Sequence, residues 1–245
     1  MTVDCTARDH RGLLLAGLAG GFGLADVTLV RMHLLKCLAE QPRALLIDLS
    51  ALTVAEPMAL TVFSAVVRQA ARWPGTSVLF CAAPRATVDL LDAAAYRRLS
   101  QFSSVEAACD HVDRGGHGMP TMAEDLLPIA GAARHGRDVA TDACLRWDRP
   151  ELVAPASLVC SELISNVVDH AHTMMQLRLS LGPKFLFIAV RDGSSQEPVA
   201  VPAGPFADRG RGLQIVDATA HSWGFLPARG GKVVWASLMI GDPTD

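Results

Sequence analysis

No run of lysine or arginine occurs anywhere in this chain of 245 residues, and 22 basic against 25 acidic side chains leave a net charge of −3. A chain without a basic stripe lacks the electrostatic footprint of direct nucleic-acid binding, so a nucleotide it holds is expected to be a small one. Also missing is any C-x-x-C pair, or a histidine at zinc-ligand spacing, among the six cysteines Cys5, Cys37, Cys81, Cys109, Cys144 and Cys160. Scattered thiols of this kind suit a reduced, cytoplasmic protein. There is no internal repeat and no low-complexity tract. The uncharged stretch from Gly12 to Ala25 has the look of a signal-peptide core, but Asp4 and Asp9 precede it and Asp26 closes it early, so it reads as strand and turn and no membrane contact is expected.

What is present is a chain that is 50% hydrophobic and 19% charged, enough to build one or two cores. The first half alternates apolar runs with helical patterns, the mark of an α/β layer structure. A strand is expected over Gly12–Leu18, a helix over Val27–Ala39 and a buried parallel strand over Ala44–Leu49. A second helix over Ala59–Ala71, a strand over Thr76–Ala82 and helices over Arg85–Ala95 and Val105–Val112 follow, with the helices read as packing on one face of the sheet. Residues 113–124 are rich in breakers and carry no apolar period, so they read as a linker between a domain at 1–112 and one at 125–245. The second domain opens with helices over Gly131–Trp147 and Ala154–Ala171. Strands over Met174–Leu181 and Lys184–Arg191 flank the Gly182-Pro183 turn. A loop over Gly193–Arg209, a helix over Gly212–Ala220 and strands over Ser222–Leu226 and Lys232–Ile240 complete it.

Three segments carry chemistry. In the helix from Ser161 to Ala171, the residues Glu162, Asn166, Asp169 and His170 lie along one side of an otherwise apolar cylinder. A solvated face would explain such a stripe, although Asn and His are moderate helix formers where an unconstrained surface favours Lys, Arg, Gln or Glu. Val190-Arg191-Asp192-Gly193 ends a strand in a carboxylate, which can accept a hydrogen bond from a purine amine or simply start a turn. In Arg209-Gly210-Arg211-Gly212-Leu213 two glycines open a helix whose N–H groups can approach a phosphate, or form a flexible loop before a capped helix.

The order and spacing of these segments resemble the GHKL ATPase superfamily, and within it the bacterial anti-sigma-factor serine kinases, over Leu126–Ile240. Glu162-Leu163-x-x-Asn166-x-x-x-His170-Ala171 looks like the N box, Asp192-x-Gly like the G1 box and Gly210-x-Gly212-Leu213 like the G2 box, with the lid between the last two. The resemblance implies a Bergerat-type α/β sandwich with a mixed, largely antiparallel sheet. It implies that Asn166 coordinates Mg²⁺, that Asp192 reads the adenine amine of ATP and that Gly193 leaves room for the ring. Gly210 and Gly212 would cradle the phosphates, Arg211 and Leu213 would belong to the same nucleotide site, and Glu162 would be the general base. Arg209 and Arg211 are read either as phosphate partners or as solvated lid residues. Val233 stands where relatives often carry a Thr that supports the base.

The first half is similar to the STAS domain of anti-sigma-factor antagonists, on the order of its elements and the segment Ile47 to Val54. Such antagonists carry a phosphorylatable Ser at the start of the following helix. Here Glu56-Pro57-Met58-Ala59-Leu60 occupies that place, and Met58 cannot accept phosphate. The expectation is therefore a two-domain α/β regulatory protein: a Mg-ATP-binding anti-sigma factor or serine kinase acting on a separate STAS antagonist, with a sigma factor as a further partner. A binding module that holds ATP and transfers nothing is the alternative, and homodimerisation through the ATP-binding domain stays open. A stand-alone ATPase or histidine kinase output domain fits less well, for want of a phosphoacceptor helix.

Overall fold

The computed structural model describes residues 3–72, 76–92, 96, 98–115, 119–198 and 212–241. The chain divides into two compact α/β units, Met1–Gly118 and Met119–Asp245.

In the first unit, β1 (Asp4–His10) and β2 (Leu13–Phe22) form a hairpin, followed by α1 (Val27–Ala39), β3 (Ala44–Val54), α2 (Thr61–Arg72), β4 (Ser77–Cys81), α3 (Arg85–Leu91), β5 (Ser100–Phe102) and α4 (Val105–Arg114). The sheet order is β1-β2-β3-β4-β5, with β1 antiparallel to β2 and the remaining pairs parallel. In β3 the run Ala44-Leu45-Leu46-Ile47 is buried throughout, as a strand covered on both faces must be. Helix α4 packs on the face of Leu13, Leu15, Leu46 and Leu79 through Ala108 and Cys109. Phe80 sits on the other face, tilted against Phe63 of α2, which in turn stacks on Phe22. The helices therefore cover both faces and not one, because successive side chains of a fully apolar strand point to opposite sides.

The second unit runs β6 (Thr121–Leu126), α5 (Ala132–Arg146), α6 (Val153–Asn166), β7 (Met175–Leu181), β8 (Phe185–Asp192), α7 (Gly212–Thr219), β9 (Ser222–Ala228) and β10 (Gly231–Met239). Its sheet, ordered β6-β7-β8-β10-β9, is antiparallel at every described pairing, so the mixed sheet expected from the sequence is replaced by a purely antiparallel one. Helices α5, α6 and α7 bury one sheet face, against Leu177, Leu179, Ile188, Val190, Val234 and Ala236. Small residues at Gly136, Ala140 and Ala143 let α5 approach α6 closely, and Gly136 lies directly on Ile164. The helical stretch Pro150–Ala171 is long and apolar enough to cross a membrane by length and composition, but its Val159, Cys160, Leu163 and Ile164 belong to this core.

The expected linker at 113–124 is shorter in the structure. Asp113 and Arg114 complete α4, and Thr121–Glu124 pair with β7 as the edge of the second sheet. An exposed edge strand carries polar residues and so imitates a linker in sequence.

Candidate functional site

A pocket of about 240 Å³ opens in the second unit between α6, the end of β8 and the start of β10. Its apolar walls are Leu163, Val167, Val190, Leu213 and Val234, and its polar groups include Asn166, His170, Asp192, Ser194 and Lys232. Each arrives by a separate structural route.

Helix α6 supplies Glu162 and Asn166, one turn apart on one face. After Asn166 the helix widens into a π-turn over Val167–Ala171 and stops at His172, which is left-handed at φ 53°. This turn brings His170 to the pocket, while Asp169, expected on the same stripe, is exposed and does not line it. The Asn166 amide has its Nδ2 buried without a partner among the described residues, and an unmatched buried donor beside a pocket marks a place a ligand can engage. Burial raises the pKa of Glu162 above the ordinary carboxylate range.

Helix α7 begins at Gly212, packed against the Glu162 and Asn166 side chains. A Cβ there would lie 2.8 Å from Glu162 Oε2, so the glycine is what lets the helix start approach those two groups. Leu213 is buried behind it and lines the pocket. Gly210 and Arg211, with Arg209 and the later part of the loop, lie outside the described residues.

Strand β8 ends at Asp192, whose side chain is 1% exposed. Its Oδ1 accepts the Ser194 N–H at 2.7 Å, and the Lys232 ammonium stands 3.0 Å from each carboxylate oxygen. Gly193 differs from its expected role: it donates its N–H to Thr173 Oγ1 at 2.9 Å, and the space a side chain would need is filled by Thr173, not left open for a ring. The position facing the pocket from β10 also differs. Val233 pairs with Arg191 on the far side of the sheet, whereas Lys232 and Val234 face the pocket. The alternation of β10 held this signal, since Val234 and Ala236 point inward and Lys232 shares their parity.

In the first unit, Met58 is the second residue of the 3-10 turn Pro57–Leu60 and is 66% exposed. Glu56 does not stand free beside it, because its carboxylate accepts the Leu24 N–H at 2.7 Å. The cysteines described are all free, with burial pushing Cys81 up to about 12 and Cys144 up to about 11, so both thiols stay protonated.

No family model and no curated protein matches the chain. Among solved structures it is similar to an anti-sigma factor antagonist from Mycobacterium paratuberculosis, at 19% identity and a TM-score of 0.39, over 46% of this chain and 95% of that one.

Proposed function

We propose that the second unit is a GHKL-type nucleotide-binding module that takes Mg-ATP, and that the chain is an anti-sigma-type regulatory protein acting on a separate STAS-domain partner. One observation carries this reading. Asn166, Asp192 and Leu213, from three elements remote in sequence, line one partly enclosed pocket, and Gly212 beside Leu213 packs against the Glu162 and Asn166 side chains. The Nδ2 of Asn166, unpartnered among the described residues, and the start of α7 at Gly212 supply donors for a polyanionic ligand, with the Glu162 carboxylate beside them. Mg²⁺ would be held mostly by the phosphates, with Asn166 as its protein ligand. When bound, that ion would offset phosphate charge.

In this reading Glu162 takes the proton of an attacking hydroxyl. Its raised pKa makes it a stronger base than an exposed carboxylate. The acceptor is a serine on another STAS protein, because the chain's own STAS-like unit presents Met58 at the equivalent place. Calorimetric titration of the full chain with Mg-ATP tests the site: wild type binds, and both Asn166→Ala and Asp192→Asn bind more weakly. Unchanged affinity in both variants sinks the assignment. Labelled ATP then tests transfer, with wild type modifying a STAS partner and Glu162→Gln binding ATP without modifying it.

A further inference from the structure

Lys232 stands directly across the β8–β10 ladder from Asp192, and its side chain is only 12% exposed. A buried ammonium beside a buried carboxylate is stable when each uses its full bonding capacity on the other and on its surroundings. Here the count falls short on both sides. Two of the three ammonium protons serve the Asp192 oxygens, each at 3.0 Å. The third has the Ser194 carbonyl at 3.4 Å, beyond the usual hydrogen-bond range. On the carboxylate, Oδ1 accepts from Lys232 and from the Ser194 N–H, while Oδ2 accepts from Lys232 alone among the described residues. A weakly engaged donor and an available acceptor thus lie side by side on two residues that both line the pocket, between the apolar walls of Val190, Leu213 and Val234.

We propose that Lys232 reads the base together with Asp192. The pair forms an acceptor and a donor for the amidine edge of adenine: Asp192 Oδ2 accepts from the exocyclic amine, and the third proton of Lys232 turns from Ser194 to the ring nitrogen N1. This rests on the ATP reading above and adds to it a binding residue and a selectivity. Guanine carries the same two edge positions with donor and acceptor exchanged. With the sugar held in place, its carbonyl oxygen meets the carboxylate and its N1–H meets the ammonium, so both contacts turn repulsive. The pocket should therefore reject GTP, and part of the discrimination should run through N1, an atom of the base that Asp192 does not touch.

Calorimetry on the full chain with Mg²⁺ tests this, using ATP, GTP and 1-deaza-ATP, in which N1 is replaced by C–H. Wild type should bind ATP about tenfold more tightly than 1-deaza-ATP, the size of one hydrogen bond from a charged donor. GTP should bind more weakly still. Lys232→Met should bind ATP and 1-deaza-ATP alike, which a merely structural lysine would not produce. Equal wild-type affinities for ATP and 1-deaza-ATP overturn the role of Lys232. Tighter ATP binding by Lys232→Met overturns it too, since the lysine would then be an obstacle. Because the comparison of ligands on wild type needs no substitution, it stands even where the variant does not fold. Failure of all three nucleotides to bind wild type removes the nucleotide reading itself, whereas ATP binding without discrimination removes only the lysine's part.

Discussion

The two units use their polar groups differently. In the first, a sheet that is mostly parallel is covered by helices on both faces, and the loops at its edge satisfy themselves: Asp26 accepts the Gly23 N–H at 3.1 Å and Glu56 the Leu24 N–H at 2.7 Å. The large apolar side chain exposed at the turn after β3 is that of Met58. In the second, an antiparallel sheet has helices on one face, and its pocket retains capacity among the described residues: an amide donor on Asn166 without a partner and a lightly used oxygen on Asp192. The first arrangement is closed in hydrogen-bonding terms. The second leaves hydrogen-bonding capacity unused among the described residues, and that contrast, more than either fold, motivates the site proposed above.

The contrast is broken most severely at Gly231, where a Cβ would run into the Asp192 carbonyl and the Cα of Gly193. Gly231→Ala should destabilise the second unit by about 3 kcal/mol or more, as overpacking against backbone does. Urea unfolding followed by tryptophan fluorescence reports it, because three of the four tryptophans, Trp147, Trp223 and Trp235, belong to this unit. An unchanged midpoint would mean that β8 and β10 can part without loss.

Next in size is Asp192→Ala, which leaves the Lys232 ammonium buried without its counter-charge. Relief by movement of the long lysine chain keeps the expected loss to about 2–3 kcal/mol, read from the same fluorescence transition. A variant as stable as wild type would show that the pair is dispensable to the fold.

Glu56→Ala sharpens the comparison from the other side. Losing the bond to the Leu24 N–H should cost the first unit about 1 kcal/mol and leave nucleotide affinity of the second unit untouched. Differential scanning calorimetry with titration of ATP separates the two; a change in ATP affinity would contradict the closed character assigned to that loop.

The smallest effect belongs to Glu162. Its folded pKa is raised by burial, so its charged form is disfavoured in the folded state and stability is lost as pH rises through that value. Glu162→Gln should therefore melt higher than wild type at neutral pH, by less than about 1 kcal/mol given partial exposure. The difference should vanish below the ordinary carboxylate range. A gain that persists in acid would point to packing instead of charge.

Much of this was legible in the sequence where side chains are buried. The apolar spacing of Val30, Leu34, Leu35 and Leu38 fixes α1 at both ends, and Gly182-Pro183 marks the β7–β8 turn. The strands that went unread, β1, β5 and β6, are all sheet edges. Asp4–His10 alternates exposed and half-buried residues, Ser100–Phe102 is too short for a period, and Thr121–Leu126 is polar enough to pass for a linker. At the site, helical spacing put Glu162 and Asn166 together, since that contact is local. The pairing of Asp192 with Lys232 spans 40 positions in the chain and depends on strand register, which no local pattern reports.

The π-turn after Asn166 has a thermodynamic consequence. From Val167 to Ala171 the backbone gives up regular helical bonding and ends on a left-handed residue, so this is where α6 has least to lose by opening. The residues on it, Val167, His170 and Ala171, are pocket wall. Fluctuation of the helix end and accessibility of the pocket are then one motion, and an occupant that seals the wall would slow amide exchange along this turn before it alters any other part of the helix.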